Sequence, residues 1–159
     1  MEWEAWWWNW TVVQESHRCE KDCCRGEIVE FSEWRVSFNS LRAKLVVVYR
    51  PPYSEAHPIT PRVFLEELGS YLETIILSPE SLILTGDYNF HVDVEDDPDA
   101  RAFLDLLASM GLKQHVNVPT HVSGHTLDLM ITREHDLVIS CVPVPTDISR
   151  TTNRCFVFS

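Results

Sequence analysis

The sequence has no long hydrophobic run, and its charges are mostly of one sign. The longest fully apolar run covers only Leu45–Tyr49, whereas a membrane-spanning helix needs ~20 apolar residues. Lysine and arginine number 13 against 24 aspartates and glutamates, a formal net charge of −11. We therefore expect no membrane or lipid partner and no broad basic surface for coating nucleic acid. An acidic enzyme acting on phosphate is still allowed, because a bound cation supplies the positive charge.

The sequence also lacks the pattern of a secretory leader and that of a disulfide framework. Residues Met1–Glu4 include no basic residue, and tryptophans rather than an aliphatic stretch follow them. The 5 cysteines are an odd number at irregular spacing, so we expect reduced thiols. These features predict an intracellular protein, cytoplasmic or nuclear, that is neither secreted nor membrane-bound.

Residues 1–35 differ from the rest of the chain. They contain all 6 tryptophans, and no helical or strand period organises the first thirty positions. The cluster His17–Cys24 has metal-capable side chains, but its spacing matches no usual zinc pattern, so plain thiols are expected there. We divide the chain into an atypical Trp- and Cys-rich segment, residues 1–35, and a domain at residues 36–159.

From Lys44 onward, the sequence alternates strand and helix patterns. The apolar run Leu45–Tyr49 predicts a strand covered on both faces. Thr60 before a proline forms a helix cap, and apolar residues at helical spacing predict a helix over 61–77. A second buried strand is predicted at Ser81–Thr85, before a Gly-Asp pair.

The same alternation continues towards the C-terminus. A second helix is predicted to begin at Asp97, which precedes a proline in the same way as Thr60 does. It is predicted to end at Gly111, which occupies the place of a left-handed C-cap. Thr126–Thr132 and Leu137–Val142 are expected to form a pair of strands around a charged turn, and Cys155–Phe158 a further strand. This order predicts an α/β fold, in which helices and sheets pack in layers.

Polar side chains follow the second predicted strand. Asp87, Asn89, His91 and Asp93 share parity and would face one side of an extended chain. A carboxylate can orient or deprotonate a water molecule, and a nearby amide can donate to a phosphate oxygen without repelling it. An edge strand with a polar, solvent-facing side explains the same pattern, so both interpretations stay open.

Two further residues could carry chemistry. Asp128 lies in an otherwise apolar segment, and a buried carboxylate without a partner is costly. It serves either as the acceptor of a structural hydrogen bond or as the residue that orients a catalytic histidine. Tyr49, at the end of the first strand, either closes the core or presents its hydroxyl to a phosphate.

Three motifs in order resemble one family. The segments Val47–Pro52, Leu84–Asn89 and Gly124–Asp128 are similar to the endonuclease/exonuclease/phosphatase superfamily, and most like the apurinic-type endonuclease domain of non-LTR (LINE-like) retrotransposons. The resemblance covers residues 36–145. It implies a partial, truncated four-layer α/β sandwich, with two packed sheets flanked by helices. It also implies hydrolysis of phosphodiester bonds in DNA with Mg²⁺ or Mn²⁺.

The same resemblance implies a role for each motif residue. Tyr49 would contact the substrate phosphate, and Asp87 would position or activate the attacking water. Asn89 would contact the phosphate oxygens, and Asp128 would hold a catalytic histidine. A bound metal would stabilise the charge that develops on the phosphoryl oxygens.

The match departs from the family at both ends. Most of the family's first half and its C-terminal Ser-Asp-His segment have no clear counterpart here. Glu15 faintly resembles the metal-binding glutamate and Asp147 a displaced remnant of the last motif, so Glu15, Asp87 and Asp147 are the metal candidates. We therefore expect a retrotransposon-derived endonuclease domain with weak or no activity.

Two alternatives to that enzyme remain. One is a non-catalytic remnant of the same fold. The other is an acidic interaction domain whose Trp-rich N-terminus binds a partner, since aromatic residues are favoured anchors at interfaces. For a truncated sheet we also expect self-association through exposed strand edges.

Overall fold

The computed structural model describes residues 30–38, 41–55, 57–136, 139–141 and 157–158. In chain order the elements are β1 (Glu30–Phe38), β2 (Leu41–Tyr49), α1 (Pro61–Ile75), β3 (Ser81–Asp87), α2 (Pro98–Ser109), β4 (Leu112–Gln114), β5 (Asp128–Arg133), β6 (Ile139–Cys141) and β7 (Val157–Phe158). This alternation confirms the predicted α/β class. The cluster His17–Cys24 and the metal candidates Glu15 and Asp147 lie outside the described residues.

The described strands form a 5-stranded sheet in the order β1-β2-β3-β5-β4 and a 2-stranded sheet of β6 and β7. β2 and β3 are parallel, and α1 provides the crossover that a parallel pair needs. The other neighbours in the larger sheet are antiparallel. β1, which crosses the predicted boundary between residues 35 and 36, and β4 are its outer strands in the described part of the chain. Self-association through these edges stays a prediction.

The predicted pairing of the two C-terminal strands is wrong. β5 pairs with β3 and β4, whereas β6 pairs with β7. The reason lies in the turn after β5, where the Asp136 carboxylate accepts hydrogen bonds from Arg133 Nε and from the Leu82 N–H, both at 2.9 Å. These bonds tie the turn to the start of β3, and the chain does not return along β5.

Both helices begin at the predicted caps. Thr60 Oγ1 accepts a hydrogen bond from the Val63 N–H at 3.4 Å, and Asp97 caps α2 in the same way. α1 ends at Ile75 rather than at residue 77, and Gly111 after α2 has the left-handed φ of 65° expected of a C-cap. In the described part of the chain, no helix has the length and apolar character needed to cross a membrane.

The two helices cover one face of the larger sheet. Their apolar side chains pack against alternate residues of the central strands. The buried set includes Phe64, Leu68, Leu72, Phe103 and Leu107 from the helices and Val46, Val48, Leu82, Leu84, Leu129 and Ile131 from the strands. Burial of each such side chain contributes about 1.5–3 kcal/mol. This packing fixes which residues of each strand point away from the helices.

Candidate active site

Three predicted site residues lie side by side at one end of the sheet. Tyr49 is the register partner of Asp87 between β2 and β3, and Asp87 is the partner of Asp128 between β3 and β5. Val48 and Leu129, their chain neighbours, face the helices. Because side chains alternate along a strand, these three residues share the opposite face. We call Tyr49, Asp87 and Asp128 the strand-end row.

Gly86 permits the close approach of the strands behind this row. It has a φ of 138°, and a Cβ at this position would lie 1.9 Å from the Val48 carbonyl oxygen. No other residue fits this combination of conformation and contact. The glycine of the Gly-Asp pair is therefore required for steric reasons. Its conformation sets where the Asp87 carboxylate lies at the end of β3.

The pKa of the Asp87 carboxylate lies well above its ordinary value. This pKa is raised to about 6, mainly by burial and also by the charge of Asp128, while a hydrogen bond from the Asn89 N–H at 3.1 Å opposes the rise. The charges of His121 and Arg50 also oppose it. A half-buried carboxylate with a pKa near neutrality is suited to proton transfer. Keeping this carboxylate ionised also costs free energy in the folded state.

Asn89 does not continue the strand, and the extended arrangement predicted for residues 87–93 is wrong. β3 ends at Asp87, and Asn89 has a positive φ of 50°. Asparagine tolerates this left-handed conformation better than most residues do. Its side-chain Nδ2 donates to the Arg50 carbonyl at 2.7 Å. The turn thus keeps the amide beside the end of β2, next to the strand-end row.

Arg50 holds this turn in place, a role that the sequence analysis missed. Its side chain is only 5% exposed, and Nη1 donates to the carbonyls of Tyr88 at 3.3 Å and Asn89 at 2.9 Å. The guanidinium carbon lies 4.3 Å from the centre of the Phe90 ring, which is cation–π geometry. Burial lowers the pKa of Arg50, while nearby aspartates, including Asp87, oppose that change. A charged residue directly after an apolar strand was the available signal.

Asp128 is positioned by the loop that precedes β5. Thr120 Oγ1 accepts hydrogen bonds from the backbone N–H groups of Leu127 and Asp128, both at 2.9 Å. The Thr120 N–H in turn donates to the His125 carbonyl at 2.9 Å. One hydroxyl therefore satisfies both amides at the start of the strand. These hydrogen bonds fix the position of Asp128 at the start of β5, where it is the register partner of Asp87.

A histidine–carboxylate contact joins the two loops beside the row. Asp93 Oδ2 lies 2.9 Å from His125 Nδ1, and Asp93 Oδ1 accepts from the Thr126 N–H at 2.9 Å. Burial favours the neutral acid, but these hydrogen bonds outweigh it and lower the pKa of Asp93. The ring centroids of His91 and His125 lie 4.3 Å apart. These contacts join the loop after β3 to the loop before β5, and we call them the rim contacts.

The row offers a limited donor set for a metal ion. No cluster of three or more His, Cys, Asp or Glu with metal-binding geometry occurs among the described residues. Asp87 and Asp128 nevertheless place two carboxylates together, and their repulsion contributes to the raised pKa of Asp87. Mg²⁺ is usually held by one or two carboxylates, with waters and substrate phosphates as the other ligands. The pair fits such an ion and does not fit a closed, all-protein metal site.

No family model and no curated protein matches this sequence. Among solved structures, the fold is similar to the endonuclease domain of TRAS1, a telomere-specific non-LTR retrotransposon, with a TM-score of 0.57 and 21% sequence identity. The match covers 74% of this chain and 55% of the TRAS1 chain. The present chain thus spans about half the length of that structure.

Two further structures match at lower scores. The human nocturnin catalytic domain with bound sulfate anion has a TM-score of 0.48 and 14% identity, covering 81% of this chain and 52% of nocturnin. Humanized D. rerio TDP2 has a TM-score of 0.47 and 14% identity, covering 76% of this chain and 51% of TDP2. Because both scores are low, the likeness of fold is carried by the TRAS1 domain. The described part of the chain therefore has an α/β fold similar to that of a retrotransposon endonuclease domain, as the sequence predicts.

Proposed function

We propose that this chain is part of a phosphodiesterase that cleaves DNA with the aid of Mg²⁺ or Mn²⁺. The observation that carries the proposal is the strand-end row. Its members, Tyr49, Asp87 and Asp128, come from three separate segments of the sequence and share one register position. A fold similar to that of an endonuclease domain supports the same function.

Asp87 is suited to activate the attacking water. With a pKa of about 6 it is ionised at neutral pH, and the Asn89 N–H holds one of its oxygens. In this role the carboxylate orients a water molecule and accepts its proton as the water oxygen bonds to phosphorus. The bond from phosphorus to the leaving oxygen breaks, and the leaving oxygen takes up a proton from solvent water.

Asn89 and Tyr49 are suited to bind the phosphate. An amide nitrogen carries two hydrogens, and Asn89 Nδ2 gives one to the Arg50 carbonyl, which leaves the other for a phosphate oxygen. Tyr49 shares a register position with Asp87, so the two side chains extend from the same face of the sheet. The buried Arg50 guanidinium adds positive charge behind the turn. Its Nη1 donates to backbone carbonyls, so it would act on the phosphate through its charge.

The carboxylates of Asp87 and Asp128 would hold the divalent ion together with water and substrate oxygens. When bound, the ion stabilises the negative charge that develops on the phosphoryl oxygens. The role that the resemblance implies for Asp128, holding a catalytic histidine, stays a prediction. Glu15 and Asp147 stay candidate ligands from outside the described residues.

Nicking of supercoiled plasmid DNA in the presence of Mg²⁺ tests the proposal. Purified chain should convert supercoiled to open-circular plasmid, and EDTA or the substitution Asp87→Ala should abolish the conversion. Asp105→Asn, an exposed position on α2, is the matched control and should nick like the unmodified protein. Conversion that survives Asp87→Ala would show that the activity arises elsewhere.

A non-catalytic remnant of the same fold is the second candidate. Loss of one member of a cooperative site removes most of its rate enhancement, so a chain with this fold can be inactive. A protein that melts cooperatively yet leaves the plasmid supercoiled would support the remnant. The interaction-domain alternative falls on the Trp-rich segment, residues 1–35, of which all tryptophans but Trp34 lie outside the described residues.

A further inference from the structure

His121 lies in the loop before β5, close to the strand-end row. Its ring is near enough to Asp87 for a charge on the imidazole to act on that carboxylate. The preceding residue, Thr120, accepts the Asp128 N–H at 2.9 Å, which brings the loop against the row. His121 is exposed, so a substrate lying over the carboxylates can reach its ring.

The loop holds His121 in a closed turn. The His121 N–H donates to the His125 carbonyl, and the Gly124 N–H donates to the His121 carbonyl, both at 3.0 Å. Gly124 has a φ of 87°, a conformation that favours glycine. The backbone of His121 is therefore fixed from both sides of the turn.

The ring of His121 is fixed as well. The Ser123 N–H donates to His121 Nδ1 at 3.2 Å, and Ser123 Oγ lies 2.6 Å from the same nitrogen. A nitrogen that accepts a backbone N–H carries no proton in the neutral imidazole, so the ring hydrogen resides on Nε2. His121 thus presents a donor at Nε2, whether it is neutral or charged.

We propose that His121 binds a phosphate oxygen of the nucleic-acid substrate through its Nε2–H, opposite the strand-end row. This assignment rests on the proposed phosphodiesterase function and adds a residue to its phosphate-binding set. Asp87 is the carboxylate on which the charge of His121 acts, and Asp128 is the register partner of Asp87.

Two substitutions separate the role of Nε2 from that of Nδ1. His121→Asn keeps a short amide whose oxygen can accept the Ser123 N–H, but it has no donor at the Nε2 position. His121→Gln extends an amide N–H towards that position. Loss of one donor to a phosphoryl transition state typically lowers the rate by about 100-fold or more. We therefore expect kcat for plasmid nicking to fall by about 100-fold in His121→Asn and by clearly less in His121→Gln.

The control is His135→Asn, an exposed histidine in the turn beyond the far end of β5, which should nick at the unmodified rate. His121→Asn protein that is folded and nicks like the His135→Asn protein would overturn the assignment. An equal loss in the Asn and Gln variants would also overturn it, because a general disturbance of the loop would then explain both.

A second measurement is independent of turnover. In the unmodified protein with Mg²⁺ present, NMR of ¹⁵N-labelled histidines should show a saturable shift of His121 Nε2 when thymidine 5′-monophosphate is added, with His135 unchanged. An unshifted His121 resonance refutes the phosphate contact. If the chain does not nick DNA but the resonance shifts, the proposed hydrolysis fails while phosphate binding by His121 stands.

Discussion

Replacement of Asp87 by asparagine should make the protein more stable while removing its proposed activity. In the folded state burial raises the pKa of Asp87 from 3.8 to about 6. At neutral pH the folded protein must therefore keep an ionised carboxylate that the unfolded chain ionises more easily. Asparagine has nearly the same shape, and its side-chain oxygen can still accept the Asn89 N–H that Asp87 accepts at 3.1 Å. The substitution thus removes the cost of the charge and retains the hydrogen bond.

The size of the effect follows from the pKa of Asp87. A rise from 3.8 to about 6 corresponds to an upper limit of about 3 kcal/mol, at about 1.4 kcal/mol per pKa unit. Solvent screens a half-buried group, so about 1–2 kcal/mol is expected at neutral pH. The sign depends on pH, because a raised acid pKa destabilises the folded state only where the group is ionised. The advantage of Asp87→Asn should shrink as the pH falls through 6 and vanish below 3.8.

Urea denaturation of both proteins across this pH range measures the difference in the free energy of unfolding. Asp105→Asn is the control, because it removes one charge from the same acidic chain at an exposed position on α2. Asp87→Asn should gain more stability than the control at neutral pH and lose that advantage in acid. An advantage that does not change with pH, or a loss of stability at neutral pH, would refute the reasoning.

Other substitutions test the elements that support the site. Gly86→Ala should destabilise by more than about 4 kcal/mol, because its Cβ would meet the Val48 carbonyl at 1.9 Å; chemical denaturation measures this, and near-normal stability would contradict it. Arg50→Lys keeps the charge but loses the hydrogen bonds that Nη1 donates to two carbonyls, so thermal melting should show a loss of about 2 kcal/mol in the free energy of unfolding. Arg133→Lys releases the carbonyls of Ile76 and Ser78 and should cost about 2 kcal/mol without lowering the nicking rate of the folded protein. The nicking rate should fall as the pH drops below about 6, where Asp87 takes up a proton; a rate that rises in acid would exclude Asp87 as the base.

The local features of the fold could be predicted because short-range interactions determine them. Thr60 and Asp97 each cap the helix that follows, and hydrogen bonding within a few residues is visible in the sequence. The position of Gly111 with its φ of 65° is of the same kind. Apolar runs likewise indicated β2 and β3, although both strands extend beyond the runs.

Features that depend on distant parts of the chain were missed. β4 contains only 3 residues, which is too short for a periodic pattern. The pairing of β6 with β7 joins two segments that lie far apart in the chain. The left-handed Asn89 depends on the burial of Arg50. Parity along an extended chain could not predict that turn.

Only part of the candidate site could be predicted from the sequence. The motifs identified Tyr49, Asp87, Asn89 and Asp128, and their individual roles stay predictions. The register that aligns three of them across β2, β3 and β5 is a property of the sheet. The rim contacts, such as that of Asp93 with His125, join residues 32 positions apart. No local pattern marks such a pair.

The central claim is that the strand-end row is a joint site for a divalent ion and a phosphate. Anomalous diffraction from crystals soaked with Mn²⁺ and thymidine 5′-monophosphate tests it most directly. We predict an anomalous peak between the carboxylates of Asp87 and Asp128, with the phosphate beside Asn89 and Tyr49. Full occupancy of Mn²⁺ at another position, with these two carboxylates bare, would contradict the account.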